Sequence, residues 1–129
     1  MKKFHSTALI GTGYWGSLIF NTLTKVTKNK IYIYDINKQN SKLLKNKFRE
    51  KAVVAKNTDE ILNNKTIKNI ILATHPSINY ELGKKILNKH KNLFIEKPIV
   101  TDAKKLSKLI KLAKSNKKIL MGGYIYLFN

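Results

Sequence analysis

The sequence predicts an α/β fold of the doubly wound kind, with about six parallel strands and helices on both faces, and three observations carry that prediction. Ala8-Leu9-Ile10 is a short apolar run that passes straight into a glycine-rich turn, Gly11-Thr12-Gly13-Tyr14-Trp15-Gly16, and then into a stretch with helical periodicity. A second apolar run, Ile31-Tyr32-Ile33-Tyr34, ends in Asp35, 19 positions beyond Gly16. Short strand-like runs then alternate with longer amphipathic stretches, the pattern of a parallel sheet covered by helical crossovers.

Each element has its own signal. Trp15, Leu18, Ile19, Leu23 and Val26 recur at helical spacing and predict a first helix with those side chains inward. The unbroken run from Ile31 to Asp35 suits a second strand buried on both faces, and Leu44 and Phe48 mark a second helix. Ala52–Ala55 reads as a third strand, followed by a short helix that Thr58 caps and whose dipole Asp59 and Glu60 complement. Ile70–Ala73 is the fourth strand. Pro76 then fits the first turn of a helix carrying Ile78, Leu82, Ile86 and Leu87 on one side. Leu93–Ile95 is the fifth strand, and Thr101 and Asp102 open a helix whose inward stripe is Leu106, Leu109, Ile110 and Ala113. Ile119–Met121 begins a sixth. Six strands with crossovers complete two mononucleotide-binding halves in the Rossmann-type order 3-2-1-4-5-6, with a ligand crevice where the order reverses. No linker or internal repeat interrupts residues 1–129, so the chain is read as one dinucleotide-binding domain.

Composition narrows the classes further. A domain of 129 residues buries about two thirds of its unfolded surface, enough for a true core. No apolar run approaches the ~20 residues needed to span a bilayer, and no membrane partner is expected. The basic start Met1-Lys2-Lys3 precedes an apolar stretch that breaks at Gly11 and doubles as the first strand, which argues against a signal peptide. The absence of cysteine excludes disulfides and thiolate metal sites and fits a cytoplasmic protein. Neither His5 nor His90 has a ligand neighbour at metal-binding spacing, so no metal is expected. The net charge of +19 suggests nucleic acid at first sight, but only Arg49 among 26 basic residues offers a guanidinium fork. The lysines are scattered over helix faces, and abundant lysine, asparagine and isoleucine are attributed to an A/T-rich coding sequence. A solvated surface whose field attracts an anionic dinucleotide is the preferred reading.

The turn residues have distinct tasks. Gly11 permits the tight turn, Gly13 lets backbone approach a pyrophosphate, and Gly16 lets the helix lie close on the strand. The backbone N–H groups of Thr12, Tyr14 and Trp15 are candidates to face the phosphates, while the Trp15 ring is expected in the helix core. Asp35 is placed to accept hydrogen bonds from the adenosine ribose and to select NAD over NADP. At ~4 Å and an effective dielectric of ~20, its repulsion of each 2′-phosphate charge is about 4 kcal/mol before screening. Lys38 would soften that preference if its side chain turned toward the ribose. His75, where the fourth strand meets its helix, is read first as a cap of that helix and second as a cofactor contact. Lys97 lies at the carboxyl end of the fifth strand, the edge where open α/β sheets bind ligands, and the peptide bond to Pro98 is one that can adopt the cis form.

Four segments resemble one known family. Gly11–Gly16 is similar to a GxGxWG turn, Ala73-Thr74-His75-Pro76-Ser77-Ile78-Asn79-Tyr80-Glu81 to an ATPxxxHYE segment, and Glu96-Lys97-Pro98 to an EKP signature. Gly123-Tyr124-Ile125-Tyr126-Leu127-Phe128-Asn129 is similar to a GHTFLYN-like strand. All four belong to the Gfo/Idh/MocA oxidoreductases, the glucose-fructose oxidoreductase and inositol dehydrogenase family, many of which act on sugars or nucleotide sugars. The resemblance implies hydride transfer with NAD, with Lys97 as the catalytic residue that holds the reacting hydroxyl and helps its proton leave. It also implies cofactor contacts from Ala73, Thr74, His75, Asn79, Glu96 and Lys97, and the tryptophan in the turn leans toward nucleotide-sugar dehydrogenases. His75 stands where proline is more usual, and Asn79 where histidine is common. The resemblance covers only the amino-terminal half of such an enzyme, so the chain is expected to lack the substrate domain and to be truncated and catalytically incomplete alone. Two rival readings stay open. One is a non-catalytic nucleotide-binding or partner-interaction module, self-associating through the sixth-strand edge near Tyr124, Tyr126 and Phe128. The other is a basic nucleic-acid binder.

Overall fold

The strands β1 (Ser6–Ile10), β2 (Ile31–Tyr34), β3 (Ala52–Val54), β4 (Ile67–Leu72), β5 (Asn92–Glu96) and β6 (Leu120–Gly123) form one all-parallel sheet in the order β3-β2-β1-β4-β5-β6. This is a computed structural model, and it describes residues 5–124. The predicted strand order is the observed one. The helices are α1 (Tyr14–Val26), α2 (Lys38–Phe48), α3 (Thr58–Asn63), α4 (Pro76–Asn88) and α5 (Ala103–Ser115), and a short 3-10 turn at Arg49–Lys51 leads into β3. Tyr126 and Phe128 of the proposed sixth-strand contact lie outside the described residues.

Side chains alternate across the sheet as strand geometry requires. Ala8, Ile10, Ile70, Leu72, Leu93 and Ile95 enter a core closed by α3, α4 and α5. Leu9, Ile31 and Ile33 enter a second core with Phe20 of α1 and Leu44 of α2. The described helices on that second side cover β1 to β3. Beyond Leu23 of α1, a groove of about 310 Å³ runs over Ile71, Phe94 and Met121 of β4, β5 and β6.

Three helical faces differ from the predicted ones. In α1, Gly16 and Phe20 are buried, whereas Trp15 is 65% exposed and Leu18 and Val26 also face outward. Trp15 is therefore not a core residue. Gly16 is pressed against the backbone of the preceding turn, and that contact sets the rotation of the whole helix. In α4 the inward residues are Asn79, Gly83, Ile86 and Leu87, which leaves Ile78 half exposed at the sheet edge. In α5, Leu109 and Ala113 are buried but Ile110 is not. The cap of α3 also shifts by one residue: the Asn57 side chain accepts from the Glu60 N–H at 2.8 Å, and Thr58 is already helical. No helix among the described residues is long and apolar enough to cross a membrane.

Candidate functional site

The carboxyl ends of β1, β2 and β4 meet at the switch point of the sheet, and the glycine-rich turn fills the space between them. Gly11 has φ +93, and a Cβ there would collide with the Ala73 carbonyl oxygen. Its N–H donates to Tyr34 O at 2.8 Å, while Ala73 N–H donates to Ile10 O at 2.9 Å, so both neighbouring strands hold the turn in place. A Cβ on Gly16 would strike the Gly11 carbonyl. Gly13 differs from both: a Cβ there would meet nothing within 4 Å, leaving open space at the mouth of α1.

Among the described α-helices, α1 is the one whose start has no side-chain cap. The side chains of Asn37, Asn57, His75 and Asp102 cap α2, α3, α4 and α5, whereas Gly13 caps α1 with none, and its first turn holds no acid. The orphan N–H groups and positive dipole end of α1 thus face an uncrowded space, the arrangement that receives an anion.

Asp35 closes the other side. Its Oδ2 accepts from Thr12 N–H at 2.7 Å, from Thr12 Oγ1 at 3.2 Å and from Asn40 Nδ2 at 3.2 Å, and its Oδ1 accepts from Asn37 N–H at 2.8 Å. Thr12 is buried and its hydroxyl also lies 3.4 Å from Ser41 Oγ. The sequence placed Asp35 at the ribose but gave no sign of Asn40 or Ser41. Asn40 reaches the carboxylate because α2 starts three residues beyond Asp35 and its first turn folds back over it. Lys38 and Lys56 line, with Asp35, a side cavity of about 270 Å³.

Between the turn and α4 lies a cleft of about 450 Å³, a volume suited to a small ligand. Gly11, Gly13 and Asp35 supply its polar wall; Ile36, Ile78 and Leu82 supply its apolar one, with Ala73, Thr74 and His75 at its floor and rim. His75 caps α4, its Nδ1 accepting from Ser77 N–H at 3.2 Å while still bordering the cleft. Asn79 departs from the expected cofactor contact. It is completely buried, its Oδ1 accepts from Thr74 Oγ1 at 2.6 Å, and its Nδ2 donates to Ile99 O at 2.9 Å. Both ends of the amide are committed beneath the cleft, so it supports the site instead of lining it.

Glu96 ends β5 and Lys97 follows it onto the exposed rim. The Lys97–Pro98 bond is cis. Glu96 Oε2 accepts from Lys97 N–H at 3.3 Å, and the carboxylate lies over Gly123 of β6, where a Cβ would come within 2.7 Å of Glu96 Oε1. Tyr14 and Trp15 stand outward at the mouth of α1, their rings in edge contact at 5.3 Å, so only their backbone faces the turn.

At the switch point the structure thus brings together an uncapped helix start with open space at Gly13 and a carboxylate at the end of β2, with Lys97 on the rim beyond β5. The family model of the oxidoreductases with an NAD-binding Rossmann fold, Gfo/Idh/MocA, matches residues 5–124. The chain belongs to the Gfo/Idh/MocA oxidoreductase family. It is 26% identical over 117 residues to an uncharacterized oxidoreductase, C115.03, of Schizosaccharomyces pombe, covering 88% of this chain and 32% of the relative. GenD2 from gentamicin A biosynthesis, solved with NAD, superposes with a TM-score of 0.84 at 21% identity over 92% of this chain and 34% of that one. Biliverdin reductase from Synechocystis, solved with biliverdin and NADP+, gives a TM-score of 0.86 at 18% identity over 95% of this chain and 39% of that one. The chain thus spans about a third of the length of these proteins.

Proposed function

We propose that this NAD(P)-binding oxidoreductase domain serves a dehydrogenase that uses NAD in preference to NADP and acts on a sugar or nucleotide sugar. The observation that carries the cofactor choice is Asp35, whose carboxylate stands at the end of β2 within reach of Thr12 and Asn40. A ribose diol can donate to it, whereas a 2′-phosphate meets its charge. GenD2 and biliverdin reductase share this fold but were solved with NAD and NADP+ respectively, so the choice rests on such local groups and not on the architecture. The tryptophan at position 15 and the Glu96-Lys97-Pro98 segment support the sugar or nucleotide-sugar reading.

In this reading the N–H groups at the start of α1 hold the diphosphate, with Gly13 leaving room for it, and the apolar wall at Ile36, Ile78 and Leu82 excludes water from the adenosine. A bound nicotinamide would supply hydride-transfer chemistry at the substrate carbon. Lys97 is the catalytic residue: as an amine its Nζ would take the hydroxyl proton as hydride leaves the substrate carbon, and as an ammonium it would return that proton in the reverse direction. Holding a substrate in attack geometry requires further walls, and about two thirds of each relative lies beyond the matched region. Cofactor binding by this domain is therefore separable from turnover. Calorimetric titration of NADH and NADPH into the native chain tests the reading; equal affinities overturn the cofactor preference, and absence of both heats overturns dinucleotide binding.

A further inference from the structure

We infer that Asn79 is a positioning residue that couples the floor of the cofactor cleft to the loop bearing Lys97; the inference rests on the dinucleotide reading above. Its orientation is fixed by chemistry. The carbonyls of Ile99, at 2.9 Å, and Pro98, at 3.4 Å, can only accept, so the amide nitrogen must face them. The amide oxygen then faces the Thr74 hydroxyl, which donates at 2.6 Å. Asn79 is 0% exposed, and an amide buried so completely is unfavourable unless its hydrogen bonds are made, so packing alone would select an apolar residue here. Packing therefore does not explain the residue, but its three partners do.

Those partners belong to two separate parts of the site. Thr74 lies between β4 and α4, and its methyl sits beneath the glycine-rich turn, 3.1 Å from where a Gly11 Cβ would be. Pro98 and Ile99 directly follow Lys97, and Ile99 is buried. One side chain of α4 thus joins the surface under the diphosphate to the segment that aims Lys97. An adenosine diphosphate anchored by the α1 amides and Asp35 needs only the first part. The nicotinamide half, extending across the crevice toward β5, needs both.

The test titrates ADP and NADH separately into the full chain. Asn79→Leu should weaken NADH on the order of tenfold, the effect of one lost hydrogen-bonded anchor, and change ADP by less than about threefold. Asn79→His should restore NADH to within about threefold of native, because a neutral imidazole offers one acceptor and one donor to the same partners. Where Asn79→Leu fails to fold, Thr74→Val, which removes the donor to Oδ1, should show the same split. Unchanged NADH affinity in a folded variant, equal losses of NADH and ADP, or a histidine variant no better than leucine each overturn the inference. A native chain that binds neither probe overturns the dinucleotide reading itself and takes the inference with it.

Discussion

Thr12 gives both of its donors to one oxygen of Asp35, the backbone N–H at 2.7 Å and the hydroxyl at 3.2 Å. The carboxylate fastens the glycine-rich turn to the end of β2, and in the proposed reading it also presents its negative charge to the ribose. Asparagine at this position keeps an acceptor for Thr12 and Asn40 but loses the charge and the acceptor of the Asn37 N–H. Asp35→Asn should reduce the preference for NADH over NADPH at least tenfold, mainly by improving NADPH, whereas Asp35→Ala should also weaken NADH and lower the melting temperature. Calorimetry at fixed ionic strength separates the two, and an undiminished preference in Asp35→Asn contradicts the assigned role.

Two glycines of the same turn should respond differently to alanine. At Gly16 the added methyl falls on the Gly11 carbonyl, and overpacking of that kind costs about 1–3 kcal/mol, visible as a lower urea midpoint. At Gly13 a Cβ would meet nothing within 4 Å, but the residue is the N-cap of α1, where alanine is less favourable than glycine, so Gly13→Ala should cost about 0.5–1 kcal/mol and produce no clash. The methyl nevertheless points into the room assigned to phosphate, and NADH binding should fall. A Gly13→Ala protein that binds NADH as well as native would place the diphosphate elsewhere.

Strand order was legible because it follows from three local facts: a glycine turn after β1, an acid after β2, and right-handed crossovers between parallel strands. Helix rotation was not. In α1 the apolar residues Tyr14, Trp15, Leu18, Ile19, Phe20, Leu23 and Val26 spread over most of the helix circumference, so periodicity alone fixes the inward direction only loosely. The contact of Gly16 with the turn settles that direction and buries Phe20. Asp35 could be placed from spacing along one chain segment. The roles of Asn40 and Asn79 could not, since each depends on side chains brought together from different elements.

That choice of face has a measurable consequence. Phe20 is completely buried and its ring meets Phe48 of α2 at 4.9 Å, so Phe20→Ala should cost about 3–5 kcal/mol. Trp15→Ala removes a larger side chain but one 65% exposed, and should cost under about 1 kcal/mol. Chemical denaturation of the two variants checks the order; the reverse ranking would restore the helix rotation read from periodicity.

Lys91 carries the last prediction. It is buried, its Nζ donates to Asn64 O at 2.8 Å and to Ile67 O at 2.6 Å, and it ties the loop before β4 to the start of β5. Burial, followed by the nearby charges of Lys68 and Lys89, lowers its pKa from the usual 10.5. Between the lowered value and 10.5 the unfolded chain holds a proton on this group that the native chain has released, so native stability rises with pH across that window. Below the window the group is charged in both states and its desolvation is borne in full. Lys91→Met removes this titration and leaves two carbonyls without their donor, so it should cost about 1–3 kcal/mol near neutral pH. The gap between native and variant should widen as pH climbs toward 10.5, because only the native chain gains from the release. Urea denaturation of both proteins over that range checks the sign; parallel pH profiles would show that the buried ammonium keeps an ordinary affinity for its proton.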